Sequence, residues 1–71
     1  MKNLIVDEKV LRKKMIDMDI RSINDLAAKS GVSKPTIYEY LNKKSPLSGT
    51  FMRLCNYLEL DPSELLTIDE G

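Results

Sequence analysis

Histidine is absent and cysteine occurs once, as Cys55. A disulfide within the chain is therefore excluded, and so is a zinc site built from four Cys or His ligands. The lack of His also removes the commonest general base. Cys55 has no imidazole to activate it and falls in an apolar helical pattern, where a thiol acts as a small core hydrophobe. No base, nucleophile or metal-ligand constellation can be assembled, so the expectation is a protein that is not an enzyme and takes no cofactor or metal. Gly and Pro number only three each, and 42% of residues are hydrophobic, which argues against disordered and collagen-like architectures. No run approaches the roughly 18 apolar residues of a membrane span. The opening Met1-Lys2-Asn3-Leu4-Ile5-Val6 is too short and too quickly charged for a signal peptide. These absences together predict a cytoplasmic, reduced protein with no membrane partner.

With 71 residues the chain is sized for one domain at most, spanning 1–71. A core this small, without a covalent or metal staple, needs an idealised helical fold, a partner, or both. The net charge is zero, yet the charge is unevenly spread. Residues 1–44 carry ten Lys/Arg and six Asp/Glu; residues 45–71 carry one and five. A basic first part and an acidic last part suit an anionic partner on one face and something different on another.

The spacing of apolar residues predicts five helices. Asp7 caps the first, with Val10, Leu11, Met15 and Met18 on its stripe, and Asp19-Ile20-Arg21 ends it. Ser22 caps a shorter second helix, with Asp25 as a weak version of the capping-box acid and Gly31 as its stop. Ser33 caps a third, where Pro35 falls at the second position and Ile37, Tyr40 and Leu41 face inward. A loop, Asn42 to Pro46, leads to Ser48 and a fourth helix bearing Phe51, Leu54, Cys55 and Leu58. Asp61-Pro62 opens a one-turn fifth helix ending at Leu65-Leu66, and 67–71 reads as a polar tail. Leu4-Ile5-Val6 is the sole strand candidate and a weak one, so the expected fold class is all-α.

The stretch 22–41 is the informative one: helix, Gly-Val-Ser turn, helix. Small Ala27 permits a close crossing, Gly31 makes the turn, Val32 plugs the corner and Ile37 packs back into the core. That arrangement crosses two helices steeply and lets the second project from the body.

Leu26-Ala27, Gly31-Val32-Ser33 and Ile37 in this spacing resemble the helix-turn-helix of the Cro and phage-repressor (XRE) family. The resemblance extends over residues 8 to 66, through Leu41-Asn42-Lys43-Lys44 as the loop after the recognition helix and through the fourth and fifth helices. It implies a compact five-helix Cro/repressor-like domain whose helix from Ser33 to Leu41 enters the major groove of double-stranded DNA. The base-contact candidates it implies are Ser33, Lys34, Thr36, Tyr38 and Glu39. Lys34 is suited to guanine O6/N7, Glu39 to cytosine N4 and the Thr36 methyl to thymine. Tyr38 has two placements open, at the DNA or over the first helix. Ser22, Lys29, Lys43 and Lys44 are the phosphate-contact candidates. Two positions depart from the family pattern. Ile23 stands where a Gln often braces the DNA backbone, and Lys43 stands where the loop usually has Gly.

Leu60, Leu65, Leu66 and Ile68 exceed what so small a core can absorb and are the candidates for a homodimer interface. The functional expectation is a small transcriptional regulator, a repressor binding a palindromic operator as a dimer. The alternative keeps the fold but binds another regulatory protein, as an antirepressor or antitoxin-like module.

Overall fold

The computed structural model describes residues 3–46 and 48–69. In chain order the elements are β1 (Asn3–Val6), α1 (Glu8–Asp17), α2 (Ile23–Ser30), α3 (Lys34–Leu41), α4 (Gly49–Leu58), α5 (Pro62–Leu65) and β2 (Leu66–Asp69). Each expected helix is present, and all but α3 start where a polar side chain satisfies orphan N–H groups. The Asp7 carboxylate accepts from the Lys9 and Val10 N–H groups, and the Ser22 hydroxyl accepts from Asp25 N–H. Ser48 caps α4 through Phe51 N–H, and Asp61 with Glu64 closes a reciprocal capping box on α5. Ser33 holds the cap position of α3 without a capping bond; its hydroxyl pairs with Thr36 instead. The Asp25 carboxylate accepts from Arg21 N–H, one residue before the Ser22 cap.

Helix ends are equally local in origin. Gly31 closes α2 at φ +77°. Asp19 and Glu59 adopt the same left-handed conformation after α1 and α4, so two acidic residues do there what glycine does after α2. Lys43 is also left-handed, at φ +66°. It holds a conformation that costs an L-residue roughly 1–2 kcal/mol and that glycine adopts without strain.

The all-α expectation needs correction. Among the described residues, the two ends of the chain form a two-stranded antiparallel sheet, with Leu4 opposite Ile68 and Val6 opposite Leu66. The expected polar tail is thus strand as far as Asp69; Glu70 and Gly71 lie outside the described residues, as do Met1 and Lys2. The sheet continues into a bond from Asp7 N–H to the Leu65 carbonyl, 2.7 Å, which fastens the start of α1 to the end of α5. Period-two alternation explains the burial. Leu4, Val6, Leu66 and Ile68 share one face, and only its inner end meets the core: Val6 is buried and Leu66 half-buried, whereas Leu4 and Ile68 are exposed.

The core gathers Val6, Leu11, Met15, Ile20, Ile23, Leu26, Val32, Ile37, Tyr40, Phe51, Leu54, Cys55, Leu58 and Leu65, with Ala27 packed against its edge. Each fully buried aliphatic contributes about 1.5–3 kcal/mol of transfer free energy. Cys55 is also fully buried in this core, and burial followed by the nearby Asp61 charge pushes its thiol pKa up. No helix among the described residues is long and apolar enough to cross a membrane.

Candidate nucleic-acid interface

α2, the turn and α3 form a rigid unit because every inward position is filled. Leu26 and Ile37 are wholly buried and Val32 nearly so, and Val32 N–H donates to the Ser30 hydroxyl within the turn. α3 is fixed from behind by Tyr40. Its ring meets Phe51 edge-on, with centroids 6.0 Å apart, and its hydroxyl bonds Ser48 Oγ at 3.0 Å. The back of α3 is therefore tied to the first turn of α4, and its other side is free to project.

The exposed side of α3 carries Lys34, Tyr38 and Glu39, with Ser33 and Thr36 at its start. Five candidates for base contact are thus brought onto one surface. Ser33 and Thr36 hydroxyls lie 2.7 Å apart; that bond uses one of their two protons and leaves one to donate. Tyr38 is 49% exposed and the Lys34 ammonium lies over its ring, 5.9 Å from the centroid. The ring stands exposed on α3 beside Lys34.

The phosphate candidates are exposed as well. Ser22 accepts one bond and keeps its proton for a donor role. Each lysine has a carboxylate partner: Lys29 with Asp25 at 3.2 Å, Lys43 with Asp69 at 3.8 Å and Lys44 with Glu39 at 2.7 Å. The Lys29 bond, then the Arg21 N–H, hold the Asp25 carboxyl below the ordinary carboxylate range. The Glu39 bond holds the Lys44 ammonium above its ordinary value. All are surface pairs, and such pairs contribute little to stability. Their consequence is electrostatic: this face presents less free positive charge than its lysine count suggests. The Asp25–Lys29 pair was discoverable from its helical spacing of four. The other two depend on how the loop folds back and on the sheet, neither of which the sequence displays.

Ile23 is buried, and so belongs to the core rather than to a surface that could brace a phosphate. Leu65 is likewise removed from the expected dimer patch, since it is 0% exposed within the chain and has no surface to offer a partner. Leu60 and Leu66 are half-buried against the core, and Ile68 is 53% exposed. Leu4, its cross-strand neighbour, is 42% exposed and extends the same apolar face. Alternation of Leu4 with Val6 and of Leu66 with Ile68 is the signal that would have found it.

A family model described as the Cro/C1-type HTH DNA-binding domain matches residues 10–71. Comparison with curated proteins and with solved structures gives no significant match.

Proposed function

The chain belongs to the Cro/C1-type HTH DNA-binding domain family, and from that premise we propose that it is a small transcriptional repressor that binds a palindromic operator in double-stranded DNA as a homodimer. The observation that carries this reading is the outer face of α3. Lys34, Tyr38 and Glu39 stand exposed on a helix whose opposite side is locked by Ile37 and Tyr40. In the groove, Lys34 donates to guanine O6/N7 and Thr36 offers its methyl to thymine. Ser22 and the α2 N–H groups receive a phosphate, with Lys29, Lys43 and Lys44 on neighbouring ones. The strained backbone at Lys43 supports a role for its side chain, because glycine would fit that position without strain.

Pairing of two copies through Leu4 and Ile68, flanked by Leu60 and Leu66, would present two recognition helices to successive major grooves, about 34 Å apart. Selection from a random-duplex library tests the proposal. Enrichment of one palindrome is the expected result. Retention without enrichment, together with a single-copy complex, refutes it.

A second reading has its own support. Ile23 in the core and three lysines already paired with acids weaken the DNA face. An antirepressor or antitoxin-like module would use the same α3 surface against another regulatory protein. It predicts no enriched duplex and a stoichiometric complex with that regulator.

A further inference from the structure

The lysines proposed to meet phosphates are held by acids in the free protein, and one of those acids stands on the recognition helix itself. Glu39 Oε2 lies 2.7 Å from Lys44 Nζ. The pair is set by backbone: Lys44 N–H donates to the Glu39 carbonyl at 3.1 Å, so the loop folds back onto α3 and delivers the ammonium to the carboxylate. The Glu39–Lys44 pair is the shortest of the five described ion pairs. Both side chains are exposed, so a ligand can reach either without disturbing the core.

We propose that Glu39 is a specificity-determining residue that gates Lys44. The inference rests on the reading of α3 as the groove-entering helix. On DNA that offers Glu39 no hydrogen-bond donor, the carboxylate keeps its ammonium partner, and Lys44 is lost as a phosphate contact. On a site that presents a cytosine amino group at that position, Glu39 exchanges Lys44 for the base N4–H. Lys44 then turns to the adjacent phosphate and releases a counterion. Base recognition and backbone attraction are coupled in this way, and the wrong sequence forfeits both contacts together. The arrangement suppresses sequence-blind binding more than binding to the operator.

The test is an anisotropy titration of the full chain against a mixed-sequence duplex over a salt series. It compares wild type, Glu39→Gln, Lys44→Ala and the double variant. Glu39→Gln frees Lys44 on any DNA. It should bind the mixed duplex up to about fivefold tighter near 0.1 M salt, the most that an exposed ion pair withholds, with the salt slope steeper by up to about 0.9. In the Lys44→Ala background the same change should shift affinity much less and leave the slope unaltered. Glu64→Gln makes the same change in net charge on α5, whose neighbours are α1, α4 and β2, and should leave binding as in wild type. Equal gains from Glu39→Gln with and without Lys44 would reduce Glu39 to a repulsive charge and overturn the gate. So would no gain, or a matching gain from Glu64→Gln. If wild type and all variants fail to bind any duplex at low salt, the regulator reading itself falls, and the gate with it.

Discussion

Gly31→Ala isolates the one backbone demand that the turn between α2 and α3 makes. Gly31 sits at φ +77°, and a Cβ placed there meets nothing within 4 Å. Steric crowding therefore adds nothing, and the cost is the left-handed conformation alone, roughly 1–2 kcal/mol for an L-residue. Alanine also narrows the unfolded ensemble, which returns about 0.4–1 kcal/mol. The net loss is about 1 kcal/mol, which in a domain of this size lowers Tm by about 4–8 °C. Gly49 provides the control. It too has open space at its Cβ position but no positive φ, and it opens α4 directly after the Ser48 cap. Gly49→Ala should stabilise by up to about 1 kcal/mol. The assay is thermal unfolding followed by far-UV circular dichroism at one fixed protein concentration, because any dimerisation would make Tm concentration-dependent. Opposite signs are required. A Gly31→Ala variant as stable as wild type would mean that residue 31 is not left-handed and that the turn geometry is wrong.

Lys43→Gly should do the reverse of Gly31→Ala: relief of the φ +66° conformation stabilises the fold by up to about 1 kcal/mol, while duplex binding weakens alike for all sequences; a gain in both, by melting and titration, would remove the functional reason for a lysine there. Leu4→Ser with Ile68→Ser should convert a sedimenting dimer to monomer with circular dichroism unchanged, since both side chains project beyond the core; a wild-type chain that is monomeric at every concentration would remove the interface. Acid sensitivity should trace to Asp25, held low by Lys29 and the Arg21 N–H, and Asp61, held low by the Ser63 N–H and hydroxyl. Folded carboxyls below their unfolded values stabilise at higher pH, and that contribution is lost as pH falls from 3.8 through the lowered folded values. Asp25→Asn with Asp61→Asn should flatten that limb of the stability profile, and an unchanged limb in pH-dependent urea unfolding would refute the assignment.

The helices were legible because their causes are local. Asp7, Ser22, Ser48 and Asp61 cap within three residues of themselves, Gly31 stops α2, and the core stripes repeat at helical spacing. Leu4-Ile5-Val6, the weak strand candidate, is β1, but β2 and the pairing are not legible, because the two strands are four residues each and meet from opposite ends of the chain. Leu65 and Leu66 look surplus in the sequence because what covers them is distant in the chain: α5 packs against α1 and α4, and Leu66 lies opposite Val6 of β1. Within the candidate site, exposure of Ser33, Lys34, Tyr38 and Glu39 followed from the helical period once Ile37 and Tyr40 were placed inside. The electrostatic state did not follow. Glu39 meets Lys44 only because the loop after α3 returns, and Lys43 meets Asp69 only because β2 exists.

The most direct measurement of whether α3 reads DNA is a paired library selection on wild type, Lys34→Ala and Lys43→Ala at two salt concentrations. Lys34 stands on the exposed side of α3 and Lys43 in the loop beyond it, so the two should fail differently. Loss of Lys34 should relax the preference at one base pair, where a good contact is worth about 1–3 kcal/mol of discrimination. Loss of Lys43 should keep the preferred sequence, weaken binding uniformly and reduce the salt slope by about one unit. If all three proteins return the same weak, sequence-blind binding, α3 does not read an operator, and the central claim is contradicted.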